Sequence, residues 1–195
     1  MPPRKHRIIG TILSTLVARA PWLWPLLRRP TQRFWNNMAS QWTGRAAPDR
    51  ATALEAGARA VPGSPKRILE VGSGSGDGTG ALARVFPGAQ VTGMDLSDEM
   101  VRTAQATNPG PDYVVGDAAK MPFDDATFDL VAQLNVPFYP SELRRVVKPD
   151  GYILVASTLG RTTPYYTPHS FLRRKLTEVA TGQAGRGDWF IGRPS

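Results

Sequence analysis

Residues 67–76 read Arg67-Ile68-Leu69-Glu70-Val71-Gly72-Ser73-Gly74-Ser75-Gly76, an apolar strand pattern that leads directly into alternating glycine and serine. A helix pattern over residues 79–86 follows this loop. Glycines at a strand-to-helix junction let the backbone approach a ligand closely, and the unpaired N–H groups at the helix start favour an anionic group. The junction therefore predicts a ligand site at the carboxyl end of the first strand of an α/β sheet.

Strand and helix patterns alternate along the rest of the chain. Further strands are predicted at residues 89–94, 112–115, 128–134 and 152–157, and helices at residues 48–61, 97–107, 141–147 and 169–176. Strands that alternate with helices pair in parallel through right-handed crossovers, which gives a doubly wound α/β sheet. The last two runs, residues 178–184 and 188–193, flank Gly185-Arg186-Gly187 and predict an antiparallel hairpin at the sheet edge.

The composition allows one well-packed domain and excludes several kinds of site. The chain has 195 residues, 41% of them hydrophobic, and no cysteine. Without thiols there is no disulfide framework, no cysteine-ligated metal centre and no cysteine nucleophile. A chain without disulfides suits a reducing interior, so we expect a cytoplasmic protein. We predict no metal site.

The net charge of +8 lies entirely in the first part of the chain. Residues 1–48 contain eight basic side chains and no acidic one: Arg4, Lys5, Arg7, Arg19, Arg28, Arg29, Arg33 and Arg45. Since the chain has 24 basic and 16 acidic residues, the other 16 basic residues are balanced by 16 acidic ones. Nucleic-acid binding needs a basic surface around the site, so the neutral body argues against a nucleic-acid partner.

Residues 1–46 are predicted to form a basic, tryptophan-rich helical arm ahead of a domain over residues 47–195. One helix is expected at residues 6–20, because apolar residues recur there at three- and four-residue intervals before Pro21. The longest uncharged stretch of the arm, Ile8–Ala18, has 11 residues, whereas a helix needs about 20 to span a bilayer. We therefore do not expect the arm to cross a membrane.

A second helix of the arm carries an aromatic stripe, and Thr31 is placed to cap its start. The stripe consists of Phe34, Trp35, Met38, Ala39 and Trp42. Three interpretations remain open for it: a face that packs on the domain, a lid over a ligand pocket, or a helix on an anionic membrane surface. Such surface contact would make the protein peripheral to a membrane.

Two carboxylates follow the second and third predicted strands. Asp95 ends the second strand, and Asp117 lies in Gly116-Asp117-Ala118 after the third. A carboxylate at the first of these positions can accept both ribose hydroxyls of a nucleoside. The dinucleotide pattern G-x-G-x-x-G, started at Gly72, fails because position 77 is Asp77, which disfavours a nicotinamide-dependent oxidoreductase.

Five motifs, in order and spacing, resemble class I S-adenosylmethionine-dependent methyltransferases, and the resemblance covers about residues 66–158. They are Ile68-Leu69-Glu70-Val71-Gly72-Ser73-Gly74-Ser75-Gly76, Met94-Asp95-Leu96-Ser97, Gly116-Asp117-Ala118, Met121-Pro122-Phe123-Asp124-Asp125-Ala126-Thr127-Phe128-Asp129-Leu130 and Leu143-Arg144-Arg145-Val146-Val147-Lys148-Pro149-Asp150-Gly151. The resemblance implies a Rossmann-like seven-stranded sheet with an antiparallel last strand, preceded by N-terminal helices. It also implies S-adenosylmethionine as cofactor.

The same resemblance implies a cofactor site on the glycine loop and the next two strand ends. Its residues are Glu70, Gly72, Ser73, Gly74, Gly76, Asp95, Leu96, Asp117 and Ala118. Glu70 would order the loop, Asp95 would take the ribose hydroxyls, and Asp117 would recognise the amino edge of adenine. The substrate pocket would be formed by Trp42, Asn135, Phe138, Tyr165 and Tyr166. The candidates for a catalytic group are Asn135, Tyr139 and His169.

These expectations combine into one leading function and one alternative. The leading hypothesis is methyl transfer from S-adenosylmethionine to a small-molecule or lipid-like acceptor. Transfer from a sulfonium is an in-line displacement, so positioning supplies much of the rate, and a base is needed only if the nucleophile starts protonated. The alternative is a non-catalytic S-adenosylmethionine-binding protein whose basic arm mediates membrane or partner contact.

Overall fold

The structure, a computed structural model, describes residues 21–43 and 50–195, the side chains of Pro21 and residues 40–43 excepted. The helices are α1 (Trp24–Thr43), α2 (Thr52–Arg59), α3 (Asp77–Val85), α4 (Asp98–Thr107), α5 (Pro140–Val146) and α6 (His169–Leu172). The strands are β1 (Arg67–Val71), β2 (Gln90–Asp95), β3 (Asp112–Val115), β4 (Phe128–Leu134), β5 (Val147–Ser157), β6 (Leu176–Ala184) and β7 (Gly187–Pro194). Single 3₁₀ turns cover Pro21–Leu23 and Gly160–Thr162.

The strands form one seven-stranded sheet in the order β3-β2-β1-β4-β5-β7-β6. The first five strands are parallel, and β7 runs antiparallel to both β5 and β6. This confirms the predicted doubly wound, Rossmann-like sheet with its antiparallel last strand. The strand order reverses between β1 and β4, and ligands of such sheets bind in the crevice beyond the carboxyl ends of the strands at that point.

Helices cover both faces of the sheet, which explains the nearly continuous apolar strands. Consecutive strand residues point to opposite faces, so Ile68 and Leu69 of β1 enter two different clusters. On one face, Leu54 of α2 and Leu82 of α3 pack with Ile68. On the other face, Leu143 of α5 packs with Leu69. The sheet is thus buried from both sides, and its ligand site lies at the strand ends.

The arm differs from expectation at the start of its second helix. We placed Thr31 as the cap, but α1 begins at Trp24 and contains Pro30, so Thr31 lies inside the helix and that prediction was wrong. Pro25 occupies the first turn, where a missing N–H costs little. A proline inside a helix ordinarily disrupts it, but α1 continues through Pro30, and Trp24 in its first turn is bonded to Asp117. The helix expected at residues 6–20 lies outside the described residues.

Helix α1 is attached to the domain through α4. Met38 and Ala39 form a small apolar cluster with Met100. Beside it, the amide of Asn36 donates to Asp98 Oδ1 at 2.8 Å, and its oxygen accepts from the Ser97 hydroxyl at 2.6 Å. These contacts confirm a packed face on the arm. None of the described helices combines the length and apolarity that a bilayer span requires.

Several predicted boundaries of the domain also moved, and the largest shift is that of β5, which begins at Val147 rather than at residue 152. The last helix ends at Leu172 rather than residue 176, because β6 already begins at Leu176. Helix α2 covers Thr52–Arg59, within the predicted residues 48–61. The hairpin was placed correctly: β7 inserts between β5 and β6, and β6 forms the edge.

Candidate active site

A cavity of about 890 Å³ opens at the carboxyl ends of β1, β2, β4 and β5. One side is formed by the glycine loop and the end of β2, and the other by the end of β4 and the loop after β5. Helix α1 closes it with Trp24, Thr31, Phe34, Trp35 and Met38. The arm therefore supplies a wall of the cavity in addition to its packed face.

The glycine loop has a backbone conformation that side chains do not tolerate. Gly72 has φ of +74°, and a Cβ there would lie 2.2 Å from Cγ2 of Val136. Gly74 has φ of +51° and also lines the cavity. Gly76 has φ of +87°, but its missing Cβ faces the hydroxyl of Tyr113 at 2.8 Å, and Gly76 is not part of the cavity wall. Gly76 therefore determines the loop conformation on the side that faces away from the cavity.

Glu70 lies near the end of β1 and is bonded to the helix that follows the glycine loop. Its carboxyl accepts a hydrogen bond from the buried hydroxyl of Thr79 in α3. A Cβ on Gly78 would lie 1.9 Å from Glu70 Oε1, so the helix start needs glycine to approach this side chain. Burial raises the pKa of Glu70 to about 8, against the opposing effect of the Thr79 hydrogen bond, and the Asp95 and Asp77 charges raise it further.

Asp95 connects the end of β2 to the glycine loop. Its Oδ2 accepts from the Gly74 amide at 2.9 Å, and its Oδ1 accepts from the Ser97 amide at 2.9 Å. Burial raises the pKa of Asp95, while these backbone hydrogen bonds lower it. The carboxylate lines the cavity and keeps a second lone pair on each oxygen, so it can accept two further hydrogen bonds from a ligand.

Asp117 is bonded to the arm rather than exposed in the cavity. The indole Nε1 of Trp24 donates to both of its oxygens at 2.9 Å, and Arg28 Nε lies 3.0 Å from Oδ2. Gly116 and Ala118 line the cavity, but Asp117 does not. The carboxylate that was expected to recognise adenine is therefore engaged by the arm. No local sequence pattern marks this contact, because its partners are 93 residues apart.

At the end of β4, Asn135 occupies the left-handed region with φ of +57°. Its amide donates to Thr158 Oγ1 at 2.6 Å, and its Oδ1 accepts from the Thr158 amide at 3.0 Å. Asn135 lines the cavity, but both ends of its side chain are engaged in joining β4 to the loop after β5. It is therefore a positioning candidate.

Two tyrosines, one after β4 and one in the loop after β5, pair with aromatic rings of α1. Tyr139 packs edge-on against Trp24, and Tyr165 lies against Trp35, with ring centroids 5.9 and 6.4 Å apart. Burial raises the pKa of Tyr165 to about 12 and raises that of Tyr139 strongly. Both phenols stay protonated at neutral pH. They are therefore suited to line a pocket and not to accept a proton.

Two predicted pocket residues, Phe138 and Tyr166, and the catalytic candidate His169 lie outside this cavity. Phe138 is buried in the core beside Phe171, because its side chain points from the loop into the layer under α6. Tyr166 and His169 lie in a small neighbouring pocket, where both face Asp188 Oδ2, at 3.2 and 3.7 Å. Trp42 lies in α1, and its side chain is outside the described ones.

Sequence reasoning missed several cavity residues that come from distant segments. They include Trp24, Thr31, Arg50, Asp77, Thr158, Leu159 and Arg186. For Arg50, its pairing with Asp77 at 3.3 Å depends on the fold and leaves no local pattern. Arg186 at the hairpin tip could have been suspected, since Gly185-Arg186-Gly187 places a cation at the carboxyl end of the sheet. The cavity wall in the described residues contains no histidine.

Comparison with known proteins agrees with this geometry. The methyltransferase-domain family model matches residues 69–155. The chain is 39% identical over 100 residues to phthiotriol/phenolphthiotriol dimycocerosates methyltransferase 1 of Mycobacterium ulcerans, which covers 47% of this chain and 37% of that protein. It is 41% identical over 100 residues to fatty-acid O-methyltransferase of Mycolicibacterium smegmatis, covering 46% and 36% of the two chains.

A solved structure shows the same fold. The N-methyltransferase NodS of Bradyrhizobium japonicum, in complex with S-adenosyl-L-homocysteine, superposes with a TM-score of 0.66 at 17% identity and covers 84% of this chain and 98% of its own. By contrast, the chain spans less than two fifths of the length of the two relatives above, at 37% and 36%. The family-model match covers the glycine loop and most of the parallel part of the sheet.

Proposed function

We propose that residues 69–155, which match the methyltransferase-domain family model, form a class I S-adenosylmethionine-dependent methyltransferase domain, and that the chain transfers a methyl group from S-adenosylmethionine to a small, lipid-like acceptor. The observation that carries the proposal is a single cavity with two unlike sides. A glycine loop and Asp95 lie on one side, and an apolar aromatic wall from α1 lies on the other. We further propose that residues 1–46 act as a lid or membrane-surface element and residues 47–195 as the catalytic domain.

The cofactor side fits the donors and charges of S-adenosylmethionine. Asp95 offers two free lone pairs for the ribose hydroxyls, and Gly72 and Gly74 allow the loop to pass close to the methionine part. Ser73 also lines the cavity, and its buried hydroxyl has no hydrogen-bond partner among the described residues. When bound, the cofactor supplies a methyl group on a positively charged sulfur.

Adenine recognition needs a different assignment from the one expected. Leu96 and Ala118 line the cavity and can pack on the ring. The carboxylate of Asp117 is already bonded to Trp24 and Arg28, so a contact with the amino edge requires the arm to release it. We propose that Leu96 and the backbone around Ala118 hold the ring, and that the role of Asp117 is to hold α1.

The acceptor side fits an apolar molecule. Its wall is aromatic or aliphatic at Trp24, Phe34, Trp35, Met38 and Tyr165. Relatives are named for phthiotriol, phenolphthiotriol and fatty-acid substrates, which supports a lipid-like acceptor. The wall offers no histidine in the described residues, and its tyrosines stay protonated. We infer that the acceptor reacts through a nucleophile that is already deprotonated when it binds.

The non-catalytic alternative has less support. Its basis is the sequence alone, in which a basic arm precedes the predicted cofactor domain. However, the family model describes a methyltransferase domain, and the relatives are named as methyltransferases. We propose a cytoplasmic enzyme whose arm makes peripheral contact with a membrane.

The proposed function is tested with S-adenosylmethionine labelled in its methyl group. The purified chain is incubated with a panel of acceptors that share an acyl chain and differ in the nucleophile: a carboxylic acid, a phenol, an alcohol and an amine. Labelled lipid product that disappears on adding S-adenosylhomocysteine supports the proposal. If the cofactor binds but no member of the panel is labelled, the non-catalytic alternative takes its place.

A further inference from the structure

Helix α1 presents one face to the domain. Trp24, Arg28, Thr31, Trp35 and Met38 follow each other at helical spacings of three and four residues and therefore share a side. Trp24 and Met38 are each only 9% exposed. This inner face supplies the cavity wall and the contact with Asp117.

The opposite side of the same segment carries a stripe of side chains that have no packing partner among residues 21–43 and 50–195. Trp22, Leu26, Arg29 and Arg33 are spaced by four, three and four residues, so they lie about half a turn away from the inner face. Trp22 is 74% exposed and Leu26 is 73% exposed, the two most exposed large apolar side chains among the described residues. We call these four residues the outer stripe. Packing among the described residues does not account for the solvent exposure of Trp22 and Leu26.

The charge of the stripe is also unbalanced. Residues 21–43 contain three arginines and no acidic residue. Arg28, on the inner side, pairs with Asp117, whereas Arg29 and Arg33 make no ion pair within the described part of the chain. The preceding sequence adds Arg4, Lys5, Arg7 and Arg19, again without an acid. The partner of this surface must therefore be anionic and must also accept apolar side chains.

We propose that the outer stripe is the docking surface for an anionic lipid bilayer. Trp22 and Leu26 enter the interface between headgroups and acyl chains, and the guanidinium groups of Arg29 and Arg33 contact lipid phosphates. A nucleic acid would match the arginines but not the exposed Leu26, and the neutral body provides no wider basic surface for it.

Docking in this way has a consequence for the cavity. Trp24 and Phe34 of α1 line the cavity while the outer stripe of the same helix faces the bilayer. An acyl chain leaving the membrane then needs to pass only the thickness of one helix to reach the acceptor side. This consequence rests on the proposed lipid-like acceptor, whereas docking itself does not.

The proposal is tested by co-sedimentation of the full chain with vesicles of phosphatidylcholine alone and of phosphatidylcholine mixed with phosphatidylglycerol. We expect binding to the anionic vesicles that weakens with salt, as for an interfacial basic helix. The double variants Trp22→Ser/Leu26→Ser and Arg29→Glu/Arg33→Glu should each bind at least about tenfold more weakly.

Two control variants test whether weaker vesicle binding is specific to the outer stripe or follows from changing any exposed apolar or basic side chain. Val179→Ser removes an apolar side chain that is 39% exposed on β6, and Arg144→Glu reverses an exposed charge on α5; both should bind vesicles like the wild type. All variants should bind S-adenosylhomocysteine as the wild type does, which shows that they fold and separates this result from failure of the proposed function. Unchanged vesicle binding by the stripe variants, equal binding to neutral vesicles, or displacement from vesicles by duplex DNA would overturn the proposal.

Discussion

The indole Nε1 of Trp24 lies 2.9 Å from each carboxylate oxygen of Asp117, so the arm is bonded to the loop that follows β3. Arg28 reinforces this contact at 3.0 Å, and the Asp117 side chain is only 14% exposed. The same indole packs against Tyr139 on the opposite side of the cavity. A single side chain of the arm therefore contacts both the loop that follows β3 and the loop that follows β4.

Trp24→Phe tests the contribution of this hydrogen bond. The ring is retained but the N–H donor is lost, so we predict a loss of about 1 kcal/mol in the free energy of unfolding. For a chain of this size that corresponds to a fall of about 2–4 °C in melting temperature. Trp22→Phe is the matched control, since Trp22 is 74% exposed and should leave the melting temperature unchanged. Equal effects of the two substitutions would show that the Trp24–Asp117 contact does not hold the arm.

Gly72→Ala separates a steric clash from backbone strain. Gly72 and Gly63 have similar φ values of +74° and +80°, but a Cβ at Gly72 meets Val136 at 2.2 Å whereas one at Gly63 meets nothing within 4 Å. We predict that Gly63→Ala costs about 1 kcal/mol in urea unfolding, and that Gly72→Ala costs clearly more and also weakens cofactor binding. If both variants lose the same stability, close packing of the loop on Val136 is not required.

The raised pKa of Glu70 predicts a specific pH dependence. Its pKa in the folded protein is about 8, compared with 4.5 for an ordinary glutamate, so the folded state binds the proton more tightly. The resulting stability is fully present below pH 4.5 and is lost as the pH rises towards 8. Glu70→Gln cannot ionise, and we predict that its melting temperature relative to the wild type increases between pH 5 and pH 8. A constant difference over this range would contradict the assignment.

Catalysis should not depend on a side-chain base at the acceptor side. His169 lies outside the cavity beside Asp188, and the pKa of Tyr139 is raised. Once an acceptor is known, we predict that His169→Ala and Tyr139→Phe keep kcat within about threefold, because removing a true general base costs about a hundredfold or more. The pH dependence of kcat/KM should follow the ionisation of the acceptor. A large loss in either variant would identify the base.

The fold could be predicted from the sequence because its signals are local. The bounds of β1, β3 and β4 match the predicted runs, and Ser97 caps α4 by accepting from the Met100 amide at 3.1 Å. Alternation of strands and helices then fixes parallel pairing. The positions of Glu70 and Asp95 could be predicted for the same reason. Both residues lie at or near the carboxyl end of a parallel strand, so the alternating pattern places them at the same edge of the sheet.

The residues of the acceptor side could not be predicted in the same way, because most of them lie in irregular loops. Phe138 and Tyr139 are neighbours in sequence, yet one is buried in the core and the other lines the cavity. No periodicity decides which side chain of an irregular segment turns inward. The start of α1 was misjudged because Pro30 is a local stop signal, yet α1 continues through it.

The central claim is tested most directly by calorimetric titration of S-adenosylhomocysteine into the wild type and two aspartate variants, with NADH as a control ligand. Asp95 lines the cavity, whereas Asp98 lies one turn away and bonds Asn36 of the arm. We predict micromolar binding by the wild type and by Asp98→Ala, about a hundredfold weaker binding by Asp95→Ala because two charged hydrogen bonds are lost, and no binding of NADH. Absence of binding to the folded wild type, or equal binding by Asp95→Ala, would contradict the assignment of this cavity as the S-adenosylmethionine site.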